Sequence, residues 1–104
     1  MTCTITLPTG VLGSCTSPTI TSNTGTAFTT AHIALAATGT AVGSVTFAVK
    51  DSGGATLGST AGTGPLSLDL TGSAVPSASS FTLKGQVSAA SFVGYTGTVT
   101  FTLS

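Results

Sequence analysis

Tyr95-Thr96-Gly97-Thr98-Val99-Thr100-Phe101-Thr102-Leu103-Ser104 decides the fold class. Val99, Phe101 and Leu103 alternate with Thr98, Thr100 and Thr102, a strict period of two. Successive side chains of a strand point to opposite faces, so this pattern describes a half-buried strand, apolar inward and hydroxyl outward. The same period recurs upstream. Cys3, Ile5 and Leu7 alternate with Thr2, Thr4 and Thr6, and Val45, Phe47 and Val49 with Thr46, Ala48 and Lys50. Leu66, Leu68 and Leu70 alternate with Ser67 and Asp69, and Phe81, Leu83 and Val87 with Thr82, Lys84, Gln86 and Ser88.

Phe28–Ala37 reads two ways. Ala31, Ile33 and Leu35 alternate with His32, Ala34 and Ala36, but the alanines also suit a helix. The β-favouring Phe28-Thr29-Thr30 and the Thr-Gly-Thr that follows decide for a strand. Pro8-Thr9-Gly10, Asp51–Gly54, Gly62–Pro65, Gly72-Ser73 and Gly94 are turn signals between the runs. Asp51–Gly54 reads as a hairpin loop leading into a weaker strand near Ala55–Ser59.

The expected fold is therefore all-β: a two-sheet antiparallel β-sandwich, immunoglobulin-like in outline, with about seven strands. A chain of 104 residues makes one domain. Within it, residues 1–26 comprise a first strand and a Ser/Thr/Gly-rich arm, Gly10–Thr26, and residues 27–104 form the sandwich body. The expected core is Val45, Phe47, Val49, Leu66, Leu68, Leu70, Phe81, Leu83, Val87, Val99, Phe101 and Leu103.

Composition narrows function. Charged residues are 4% of the chain, against about 25% in an average soluble domain. They are Lys50, Lys84, Asp51 and Asp69, and the net charge is zero. Nothing in that balance attracts nucleic acid or an anionic membrane. The longest apolar run, Ala31–Ala37, is broken by His32 and falls far short of the roughly 20 residues of a spanning helix. If Met1 is the native start, no basic segment and no apolar stretch of a secretory signal is expected; if Met1 was added, a signal could have been trimmed away.

The chemical inventory is too thin for catalysis. Asp51 and Asp69 are the only carboxylate side chains, and Asp51 reads as a turn residue. His32 is the one candidate base, with no Gly-x-Ser-x-Gly elbow beside it, and Gly62–Gly64 opens no helix to cradle a phosphate. The expectation is a protein that is not an enzyme, with no catalytic residue, no cofactor, no metal and no small-molecule ligand. Cys3 and Cys15 are too few for a zinc site. A disulfide within the chain, two reduced buried thiols, and a bridge between subunits all fit their spacing.

A free monomer protects its surface and strand edges with charge, and this chain has almost none. Outward Thr and Ser are far cheaper to bury against a neighbour than ions. The candidate assembly contacts are accordingly Thr2, Thr4, Ile5, Thr6 and Leu7 of the first segment, and Thr98, Thr100 and Thr102 of the last. Only two Lys and no Arg leave few trypsin sites, which suits an exposed setting.

The Thr ladder Tyr95–Ser104 and the Ser/Thr/Gly-rich loops resemble small β-sandwich proteins on the heads and tails of tailed bacteriophages, over Phe28–Ser104. The resemblance is one of composition. It implies a structural protein at a virion surface, made in the host cytoplasm, decorating or cementing a capsid or tail, with like subunits or a capsid or tail protein as partners. A secreted pilus or fimbrial subunit, or an adhesin domain, is the alternative, with Thr2–Leu7 as a donated strand. Thr-x-Thr arrays also suit an ice-binding face. A sugar-binding module would need exposed aromatic rings, and Tyr95 is the one plausible candidate.

Overall fold

The computed structural model describes residues 1–21 and 28–104. The strands there are β1 (Thr2–Thr16), β2 (Ile20–Thr21), β3 (Thr30–Val42), β4 (Val45–Lys50), β5 (Thr56–Gly62), β6 (Leu66–Thr71), β7 (Ser80–Phe81) and β8 (Lys84–Leu103). A single 3-10 turn, Gly72–Ala74, interrupts them among the described residues. All pairings are antiparallel. The all-β reading holds, and within Phe28–Ala37 residues 30–37 begin β3 rather than a helix, with Phe28 and Thr29 just before it.

β8 is the spine. Along one edge it pairs with β1, from Thr2 opposite Thr100 to Thr16 opposite Lys84. Along the other edge it pairs first with β4, over Lys84–Ser88, and then with β3, over Ser91–Leu103. β5 adds outside β4 and β6 outside β3, giving the order β5-β4-β8-β3-β6 with β1 on the far side of β8. β2 and β7 form a separate short ladder.

One ladder becomes two layers because the long strands bend at the same level. The β1–β8 register shifts between Gly10 and Leu12, and the β3–β8 register between Thr38 and Thr40. Gly10, Gly39 and Gly94 have φ of 138°, 98° and 59°, backbone that a side chain would resist. Bulges of this kind bend a strand and increase its twist. Pro8-Thr9-Gly10 and Gly94, expected as turns between strands, are thus corners inside continuous ones. The expected loose arm is corrected likewise: residues 10–16 are paired within β1, while residues 22–26 of that segment lie outside the described residues.

Folding the ladder brings its halves face to face. A Cβ on Gly13 would lie 2.7 Å from Leu7 and 2.9 Å from Ile5, so that glycine is the hole into which both side chains pack. On the opposite side of the core Gly58 meets Leu70 and Leu68, and in the middle Gly85 meets Val99. Nine of the twelve expected core residues are buried, while Leu66, Leu68 and Leu103 are partly buried against that core. Ile5, Ile20, Ile33, Leu35, Phe92 and Tyr95 join them.

Two local devices tie β1 down. Cys3 and Cys15 form a disulfide with Cα atoms 5.8 Å apart, so the bridge joins the two halves of one bent strand. Cys3 stands opposite Val99 and Cys15 opposite Gly85, which makes the bridge a staple between the layers. Just beyond, buried Ser17 receives the Leu83 N–H at its Oγ and donates its own N–H to the Leu83 carbonyl. The β4–β5 hairpin closes as expected, Asp51 Oδ1 accepting from the N–H groups of Gly53 and Ala55 at 2.9 Å.

Candidate interaction surface

The apolar residues of β1, β8 and β3 point into the core, so period two sends their partners outward together. Thr2 stands opposite Thr100, which stands opposite Ala34, which stands opposite Ser67 on β6. The next rows are Thr4–Thr98–Ala36 and Thr6–Thr96–Thr38. Directly opposed residues have Cβ atoms about 4.5–5.5 Å apart, and alternate residues along a strand are about 7 Å apart. The result is a regular grid of hydroxyls, methyls and alanines, exposed except for half-buried Ala34.

Four of the six threonines expected at contacts, Thr2, Thr4, Thr98 and Thr100, fall in adjoining rows of this grid, with Thr6 in the row beyond and Thr102 at the far end of β8. Ile5 and Leu7 do not belong with them. They are 1% and 9% exposed and pack against Gly13, because the alternation that turns Thr4 and Thr6 out turns these two in. Tyr95 is also corrected. It shares the inward phase of Val99 and Phe101, is buried, and packs its ring 4.6 Å from that of Phe92. Burial pushes its phenol above the ordinary tyrosine range.

His32 and Asp69 are paired across β3 and β6 and are the only titratable side chains in the grid. His32 Nδ1 lies 2.6 Å from Asp69 Oδ1, and the side chains are 52% and 75% exposed. The contact gives His32 Nδ1 and one Asp69 oxygen a hydrogen-bond partner within the chain. The two carboxylates considered for acid–base work have separate duties: Asp69 meets His32, and Asp51 organises its loop.

Sequence reasoning missed two parts of the surface. Ala34, Ala36 and Thr38 continue the threonine rows onto β3, which only the register reveals. Val11, Leu12, Val42 and Val93 are exposed around the bend. Val93 sits between Thr9 and Thr40, and Val42 opposite Ser91. Their exposure follows from the shift of register at the bulges, which the alternation alone does not foretell. Among the described residues no helix is long and apolar enough to cross a membrane.

No family model matches the chain, and no curated protein matches it. Among solved structures it is similar to one described as "CBM4 structure and function", with TM-score 0.44, 18% identity, and 97% of this chain and 80% of that chain covered. It is also similar to a carbohydrate-binding module, CBM36, in complex with calcium and xylotriose, with TM-score 0.35, 18% identity, and 88% and 72% covered. A third is the structure of Broad Bean Stain Virus, with TM-score 0.33, 13% identity, and 76% and 60% covered. Likenesses this distant carry nothing about what the chain binds.

Proposed function

We propose that this chain is a non-enzymatic structural protein of a virion, an immunoglobulin-like sandwich that coats a capsid or tail surface and packs against like subunits. The observation that supports this reading is the outward grid of β1, β8 and β3, where Thr2, Thr4, Thr6, Thr96, Thr98 and Thr100 continue into Ala34, Ala36 and Thr38. None of these nine residues is charged, so burying their rows strands no ion, and each hydroxyl finds a donor or acceptor in a polar neighbour. Light scattering over a dilution series tests it. Mass that rises with concentration to discrete oligomers supports the reading, and a monomer at every concentration counts against self-association.

The alternative is a secreted pilus, fimbrial or adhesin domain, and the Cys3–Cys15 bridge favours it, since disulfides persist in oxidising compartments. Strand donation in that setting requires Thr2–Leu7 to leave β8, where it is paired within its own chain. Mixing isotopically distinct copies and looking for exchanged first strands separates the two. The same threonine grid would suit an ice-binding face, and a freezing assay without thermal hysteresis excludes it.

A further inference from the structure

The chain has two cations among its side chains, and the fold sets them side by side. Lys50, the last residue of β4, stands directly opposite Lys84, the first residue of β8. Directly opposed residues share a face, and both side chains point outward, because Val49 and Gly85 beside them point in. Like charges in this relation repel, so the pairing is unfavourable in the absence of something between them.

Among the described residues neither lysine has an ion-pair partner. The only contact between acidic and basic side chains among the described residues is His32–Asp69, on the outer face of the other layer. Asp51 follows Lys50 in sequence, but its Oδ1 is held by the Gly53 and Ala55 N–H groups, and it makes no ion pair with either lysine. Both lysines are half-buried. Thr16 stands opposite Lys84 on β1, while Thr56 of β5 pairs with Lys50 just past a register shift between Val49 and Lys50.

We propose that Lys50 and Lys84 form a binding site for a dianionic oxyanion of phosphate size, with the Thr16 hydroxyl flanking it. Two ammonium groups on adjacent strands match two negative charges, and the anion turns an unfavourable pair into a favourable triad. The site is on the opposite outer face from the threonine grid and is independent of self-association, so either proposal can fail without the other.

The test is a titration of the folded protein with inorganic phosphate, against sodium chloride at matched ionic strength, read by amide chemical shifts and by the thermal midpoint. Saturable shifts confined to residues around Lys50 and Lys84, with a midpoint raised by a few degrees, are expected for the wild type. Lys84→Gln and Lys50→Gln should each abolish both effects while folding at least as well in chloride, since repulsion is relieved. Lys84→Arg should retain binding. Phosphoserine in place of phosphate distinguishes a site open to phosphate esters from one for the free ion, and acetate should give no saturable shift. An equal midpoint rise in wild type and Lys84→Gln would reveal only the general effect of an excluded salt and would overturn the site. Shifts that fail to saturate, or that lie elsewhere, overturn it as well.

Discussion

Gly39 and Gly94 meet backbone to backbone at the corner of the sandwich. A Cβ placed on Gly39 would fall within the Gly94 carbonyl, 2.7 Å from its carbon and 2.8 Å from Tyr95 Cα. Gly39 lies where the β3 register shifts and Gly94 just beyond the Val93 that pairs with Thr40, so the fold turns from one layer to the other at this contact. Gly39→Ala should destabilise the protein by about 3 kcal/mol or more, because both the positive φ and a backbone neighbour oppose it. Gly43→Ala is the control. It shares a positive φ but has open space around it, and should cost only about 1 kcal/mol. Urea midpoints of the two variants check the contrast.

The disulfide closes a short loop inside one strand, twelve residues apart in sequence. Replacing both Cys3 and Cys15 by Ala should lower stability by about 3 kcal/mol, mostly through the greater freedom of the unfolded chain. Because the bridge is internal, a reductant should shift the denaturation midpoint without changing the mass of any oligomer. Loss of oligomers on reduction would place the bond between subunits instead.

Phe101 is 2% exposed, and its neighbour in sequence, Thr100, is on the outer face. Phe101→Ala should cost on the order of 3–5 kcal/mol and Thr100→Ala under about 0.5 kcal/mol. Similar costs for the two would mean that the faces of β8 are inverted.

Tyr95 is the only tyrosine, and there is no tryptophan, so its ionisation is read cleanly by ultraviolet absorbance. Its folded pKa is raised by burial, which means the folded state holds the phenolic proton more tightly than the unfolded chain. The stability this provides is fully present below the ordinary tyrosine value of about 10 and is lost as pH rises through the folded value. Alkaline denaturation should therefore coincide with tyrosinate formation, and Tyr95→Phe should unfold at higher pH than the wild type.

Most of the strands were legible because apolar and hydroxyl residues alternate without charge to blur the pattern, as in Val45–Lys50 and Thr98–Leu103. The corners were not. Gly10, Gly39 and Gly94 look the same in sequence whether a glycine ends a strand or bends it, and only the pairing of β1 and β3 with one twenty-residue β8 distinguishes the two. The inward phase of Tyr95 and of Ile5 and Leu7 was readable from the alternation itself, since each shares a face with residues assigned to the core or aligned with them. The adjacency of Lys50 and Lys84 was not readable, because it depends on the β4–β8 register rather than on any local pattern.

The central claim is that the threonine and alanine grid is the association face. The measurement that tests it most directly is light scattering on Thr98→Lys/Ala36→Lys beside Ser14→Lys, which places a charge on the outer face of the other layer, opposite Gln86. The grid variant should remain folded and monomeric at concentrations where the wild type and Ser14→Lys form discrete oligomers. Oligomers that survive in the grid variant, or that dissolve only with Ser14→Lys, would contradict the account.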